Sequence, residues 1–226
     1  MNNKSLILLF IFLSTVYLFS LTLAPYDGQF LLKVAPILLL IAMAYKQLAG
    51  KTRTLMVGAL IASAFGDIFL ALTFANSFIF GLGAFLIAQI VYSVTFIQHR
   101  LPSSTTTGRK IFALLITAYS VYMASYILPA TGELFIPVTV YLTVITVMAL
   151  SALLGNLHLS VVLGAISFVA SDSALALSLF KTPLLYSDWV VMITYYAAQL
   201  AILVGMIRQQ HAVSELNSSR LHPNAG

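Results

Sequence analysis

Runs of apolar residues roughly 18 to 24 long, each closed by proline, glycine or charge, recur along the whole chain. That is the length a helix needs to cross the hydrocarbon of a bilayer. Eight spans are predicted, at residues 5–23, 30–48, 54–74, 78–97, 111–128, 134–153, 157–180 and 189–207. The expected fold is all-α: a polytopic integral membrane protein with one eight-helix transmembrane domain over residues 1–207. A polar tail, 208–226, follows and is expected to be disordered. Two acids break the apolar pattern inside the spans. Asp67 lies in Phe65-Gly66-Asp67-Ile68-Phe69-Leu70-Ala71-Leu72, and Asp172 in Ala170-Ser171-Asp172-Ser173-Ala174-Leu175-Ala176-Leu177. A central charge costs ~2.5 to 3.5 kcal/mol on insertion scales, so an acid kept there points to function first.

Composition sharpens the class. Hydrophobic residues make up 61% of the 226 and charged residues only 8%, against roughly 25% charged in soluble domains. The mean hydropathy is +1.01. With no cysteine, disulfides, thiolate catalysis and Cys-ligated metals are excluded. The N-terminus, Met1-Asn2-Asn3-Lys4, leads into an apolar run with no small-x-small cleavage site and reads as a retained first helix. The net charge of +5 is unevenly placed: Lys4, Lys46, Lys51, Arg53, Arg100, Arg109, Lys110, Arg208 and Arg220 fall on the side of the N-terminus, while Lys181 falls on the other. Cations concentrate on the cytoplasmic side, so both termini are expected inside, in a bacterial inner membrane. No nucleic-acid partner is expected.

This topology converts sequence positions into depths. Asp67 and Asp172 each lie about eight residues before the outer end of their helix, ~12 Å below the surface. Gln89 and Gln199, on descending helices, lie ~17 Å deep. The two acids share the pattern Asp-x-x-Leu-Ala-Leu, and the offsets of 105 between the acids and 110 between the glutamines suggest a parallel repeat of four helices plus four. Helices three and seven are therefore expected to be neighbours, with carboxyls within ~10 Å. A cavity in the outer half is expected, lined by Lys33, Asp67, Gln89, Asp172, Tyr195 and Gln199. Ser171 flanks Asp172, and Tyr195-Tyr196 lies one turn before Gln199. Each of these also has an ordinary reading: Lys33 as a snorkelling anchor, the serines as backbone-bonded packing residues, the tyrosines as an aromatic belt. Asp27, Glu133 and Asp188 lie near the outer surface, where the last two suit a cavity rim. His99, His158, His211 and His222 lie off the acid layer with no His-x-x-x-His spacing, so no metal site is expected. Ser-His-Asp catalysis lacks its Gly-x-Ser-x-Gly elbow.

Lys33 with Pro36, Gly66-Asp67-x-x-Leu70, Gly81-x-x-x-Phe85-x-x-Ala88-x-x-x-Tyr92, Ser171-Asp172-x-x-Leu175-Ala176 and Tyr195-Tyr196-x-x-Gln199 resemble the YhhN/TMEM86 family of eight-helix membrane proteins. The resemblance spans helices two to eight. Family members often carry a His before the Tyr of helix four, where this chain has Gln89. The resemblance implies a lysoplasmalogenase, an ether hydrolase without a cofactor. Its lysophospholipid substrate, a lysoplasmalogen, is cleaved at the vinyl ether bond to a fatty aldehyde and glycerophosphoethanolamine or glycerophosphocholine. Such a bond breaks by protonation at its β-carbon; water then captures the oxocarbenium-like cation as a hemiacetal, which collapses. The reaction needs an acid, an anion and a water. Two carboxyls in a low-dielectric layer resist ionising together, so Asp67 and Asp172 are expected to divide the acid and base roles between them. Substrate binding is expected from Lys33 at the lipid phosphate and from Gln89, Tyr92, Ser171, Tyr195, Tyr196 and Gln199 around the water and ether. Asn in place of either acid is expected to fold at least as well as the acid itself. Two other readings use the same acids. A proton-coupled transporter would need both acids and a repeat; an intramembrane aspartyl protease would need Gly at position 64, where this chain has Ala64.

Overall fold

The computed structural model describes residues 3–101, 105–182 and 186–221, the side chains of 212–221 excepted. Eight helices in this range are long and apolar enough to cross a membrane. They are α1 (Asn3–Ser20), α2 (Gln29–Gln47), α3 (Gly50–Ala71), α4 (Ser77–Gln98), α5 (Thr107–Ile127), α6 (Phe135–Leu154), α7 (Leu159–Phe180) and α8 (Ser187–Leu221). All eight match predicted spans, with boundaries moved by a few residues except at the end of α8.

The largest difference is at the C-terminus. The helix of the eighth span does not stop at residue 207: its backbone runs to Leu221, while His222 and residues 223–226 lie outside the described residues. Side chains just past residue 207 are fixed by polar partners that the hydropathy pattern does not record. Gln210 donates from Nε2 to the Ala49 carbonyl at 3.0 Å and accepts from the Ala49 N–H at 3.1 Å. Gln209 accepts from the His158 N–H at 2.9 Å. The start of the tail thus caps the loops on the face that carries the N-terminus. On that same face the Nδ1–H of His99 donates to the Thr95 carbonyl at 2.9 Å, and its Nε2 accepts from the Thr52 hydroxyl at 2.7 Å.

Six helices form a closed ring. Following the packed pairs, α2 lies on α3, α3 on α4, α4 on α6, α6 on α7, α7 on α8, and α8 back on α2. α1 leans on the outside against α2 and α8, and α5 against α6 and α7. The ring order sets α3 opposite α7 and α4 opposite α8. The expectation that α3 and α7 pack side by side is therefore corrected: they face each other across the ring. Depth along a helix follows from counting residues, but lateral neighbours follow from packing surfaces that spans of such uniform apolarity do not reveal.

Small residues let the tightest pairs close. A Cβ on Gly66 would stand 2.6 Å from the Phe85 ring, and one on Gly81 would stand 2.6 Å from Leu70, which draws α3 and α4 together. Between α7 and α8, a Cβ on Gly164 would lie 2.9 Å from both the Ala198 carbonyl and the Ile202 nitrogen. Those are backbone atoms and have nowhere to go. Gly164→Ala is expected to cost about 1 to 3 kcal/mol by overpacking. Gly83→Ala, with nothing within 4 Å of its Cβ position, is expected to be neutral or to stabilise by roughly 0.5 to 1 kcal/mol through helix propensity. Thermal melts of the two variants in detergent check the contrast; equal melting temperatures would refute the close α7–α8 contact.

The ring centre is filled over part of its depth. The Tyr92 hydroxyl donates to Oε1 of Gln199 at 2.6 Å, Nε2 of Gln199 donates to Oγ of Ser63 at 3.0 Å, and Ser63 donates to the Ala59 carbonyl at 3.0 Å. Every member of this chain across α4, α8 and α3 has a partner, which is the condition under which a buried polar network holds a core together.

Candidate active site

Above that plug, toward the face opposite the N-terminus, the ring encloses a cavity of about 490 Å³. Its mouth is edged by Pro25 and Thr73 of the connections α1–α2 and α3–α4, and by Gln29, Ser77 and Asp188 of the first turns of α2, α4 and α8. Phe78 of α4 and Phe180 of α7 meet at 6.1 Å between ring centroids beside it. The wall is mostly apolar, with Leu70, Leu82, Phe85, Val138, Leu142, Leu175 and Met192 among its residues. Both acids open into this one space from opposite sides.

Their surroundings differ. Asp67 is 1% exposed and sits behind two donors. Lys33 Nζ stands 3.7 Å from Oδ1, and the Tyr195 hydroxyl donates to Oδ2 at 2.7 Å. Lys33 is held in turn: one turn before Pro36, whose missing N–H loosens the helix ladder, the Lys33 carbonyl accepts from the Tyr196 hydroxyl at 2.7 Å. Asp172 is less enclosed. Its Oδ2 accepts from the Tyr141 hydroxyl of α6 at 2.5 Å. Lys33 pairs with Asp67, whereas among the described residues no Lys or Arg pairs with Asp172. An ammonium next to a buried carboxylate favours its charged form, whereas a buried acid without one is better kept neutral. Among the described residues no group of three His, Cys, Asp or Glu stands close enough together to hold a metal ion.

Residues 28–206, which begin just before the first ring helix and reach into the last, match the YhhN family. The chain belongs to the YhhN family. Among curated proteins, this YhhN member is 32% identical over 180 residues to the lysoplasmalogenase of Mycobacterium bovis, covering 76% of the chain and 68% of that protein. It is 29% identical over 171 residues to lysoplasmalogenase TMEM86A of Bos taurus, covering 71% and 68%. It is 31% identical over 183 residues to lysoplasmalogenase TMEM86B of Rattus norvegicus, covering 79% and 72%. No solved structure matches it.

Of the nine residues singled out in the YhhN sequence, Lys33, Asp67, Ser171, Asp172 and Tyr195 line the cavity. Gln89, Tyr92, Tyr196 and Gln199 do not. Tyr92 and Gln199 belong to the plug beneath the cavity, and Tyr196 points to the α2 backbone. Their depths were readable, but their faces lie around the helix from the opening. Lys33 is not at the rim: it is buried in the cavity wall, paired with Asp67. Ser171 donates to the Val191 carbonyl at 2.8 Å and links α7 to α8 within the cavity wall. Asp188 does lie at the mouth, whereas Glu133 is not among the lining residues. Tyr141 was missed. A tyrosine in an apolar helix looks like packing, and only its position on the ring-facing side of α6, at the depth of Asp172, distinguishes it.

Proposed function

We propose that this protein is a membrane lysoplasmalogenase that hydrolyses the vinyl ether of a lysoplasmalogen, with Asp172 as general acid and Asp67 as the anion and base. The observation that supports this reading is the unlike pairing of two acids on one apolar cavity: Asp67 beside Lys33 and Tyr195, Asp172 beside Tyr141 alone. The relatives' names supply the substrate class. A cavity of this volume is within the roughly 300 to 1,000 Å³ of small-molecule sites, and its wall suits an alkenyl chain with the polar headgroup toward the mouth.

In this reading, protonated Asp172 accepts the Tyr141 hydroxyl at Oδ2 and presents the proton on Oδ1 to the β-carbon of the vinyl ether. A carbon–hydrogen bond forms, and the positive charge left on the adjacent carbon and ether oxygen faces the Asp67 carboxylate. Water adds to that carbon, and Asp67 takes one of its protons. The product is a neutral hemiacetal. Its hydroxyl proton returns to Asp172, the carbon–oxygen bond to glycerol breaks, and the departing oxygen takes the proton held on Asp67. Both acids regain their starting states, one water is consumed, and a fatty aldehyde and a glycerophospho-alcohol leave. Lys33 keeps Asp67 charged between turnovers.

The distribution of Lys and Arg supports both termini in the cytoplasm, with the cavity opening to the other leaflet of a bacterial inner membrane. The ring order supports a duplicated four-helix unit, since half a turn about the ring axis carries α2, α3 and α4 onto the places of α6, α7 and α8. The deciding experiment is incubation of the purified protein with lysoplasmenylethanolamine and a scavenging dehydrogenase that reports free aldehyde. Aldehyde release that depends on protein supports the reading. Proton-coupled flux in proteoliposomes without aldehyde would replace it with the transporter, and peptide cleavage with the protease.

A further inference from the structure

Gln89 is the feature that this mechanism leaves unused. It is 0% exposed, lies on α4 against α6, and does not line the cavity. Among the described residues neither its amide nitrogen nor its oxygen makes a hydrogen bond of normal geometry. Buried polar groups are nearly always partnered, so an orphaned amide at such depth calls for a reason. Its counterpart on the opposite ring helix has one: both polar atoms of Gln199 are taken, by Tyr92 and Ser63. Gln199 is locked into the plug, while neither polar atom of Gln89 is held by such a partner. The Tyr141 hydroxyl, on the α6 helix that packs against α4, is a polar group within its reach.

Tyr141 has one proton and two lone pairs. The proton is committed to Oδ2 of Asp172. Were the phenol oxygen left without a donor, the Asp172 proton itself would be a good partner for it, and the acid would turn its proton inward, away from the cavity. An amide N–H on the phenol oxygen fills one of those two lone pairs and makes the oxygen a poorer acceptor for the acid proton. We propose that Gln89 is a positioning residue that donates from Nε2 to the Tyr141 hydroxyl, fixing the direction of the Tyr141–Asp172 hydrogen bond so that the acid proton faces the cavity. The inference rests on the acid role given to Asp172 above.

The test is a double-mutant cycle on purified protein in detergent, with lysoplasmenylethanolamine as substrate and free aldehyde as readout. Gln89→Leu removes the donor. It is expected to lower kcat about five-fold, the size of one net hydrogen bond, with KM within about two-fold because Gln89 does not touch the cavity. In a Tyr141→Phe background the same change is expected to cost nothing further, since the group it acts through is gone. Gln89→His, which keeps an N–H donor, is expected to retain more than about half of kcat. Where Gln89→Leu does not fold, the unbranched Gln89→Met carries the same expectation. An unchanged kcat in Gln89→Leu, or the same loss in the Tyr141→Phe background as in the wild type, would overturn the proposal while leaving the hydrolase reading in place. Absence of aldehyde from the wild type would overturn both.

Discussion

Asp172→Asn is expected to lower aldehyde release by at least about 100-fold, the usual size of a lost general acid, with little change in KM. Asn keeps the shape of the side chain and still accepts the Tyr141 hydroxyl, so the cavity survives while the transferable proton is gone. Asp67→Asn is expected to cost a similar factor, because the water would lose its base and the oxocarbenium carbon its anion. Residues that act as a unit are strongly non-additive. The double variant is therefore expected to be only slightly slower than either single one. Initial rates at saturating substrate measure this; near-wild-type turnover in either single variant would refute the paired-acid mechanism.

The two acids are not expected to behave alike in stability. From the sequence, Asn at either position is expected to fold as well as the acid, since burying a carboxyl is costly. The ion pair changes this for one of them. Asp67→Asn leaves the Lys33 ammonium buried without its counter-ion, and Lys33→Met leaves the Asp67 carboxylate in the same condition. Removing one partner of a buried pair costs about 3 to 5 kcal/mol where the other stays charged, whereas removing both is often nearly neutral. Each single variant is thus expected to melt well below wild type, and Lys33→Met combined with Asp67→Asn close to it, with Asp172→Asn unaffected. Thermal unfolding of the four proteins in one detergent checks the pattern. Additive losses in the double variant would mean that Lys33 and Asp67 act on stability independently.

These contrasts mark what the sequence can and cannot disclose. Span length and hydropathy place all eight helices, because the cost of unsatisfied backbone in lipid leaves a long apolar run little choice of structure. Asp67 and Asp172 stand out for the same reason: an acid at that depth is too costly to be incidental. Rotation about each helix axis is another matter. In a soluble helix the polar face identifies itself, but in α4 and α8 the lipid-facing and ring-facing sides are both apolar, so Gln89, Tyr92, Tyr196 and Gln199 were legible in depth and not in direction. The Lys33–Asp67 pair joins α2 to α3 through a contact that no local pattern encodes, and Tyr141 carries its hydroxyl in a segment with no other polar cue. The continuation of α8 to Gln209 and Gln210 was hidden by the same polarity that suggested a tail, because those amides bind the backbone of the loops.

The ring also fixes an order of events during biosynthesis. Its first and last members, α2 and α8, are separated by nearly the whole chain, and they close on each other only when translation is almost complete. Lys33 and Asp67 leave the ribosome early on adjacent helices and can shield each other's charge while they wait. Asp172 likewise has Tyr141 from the helix made just before its own. Each costly side chain is therefore partnered within its own half before the halves meet, and a nascent chain halted before α8 carries both acids in a bilayer-tolerated form with the chamber still open along one side. The Tyr195 hydroxyl that donates to Asp67 arrives only with that last helix.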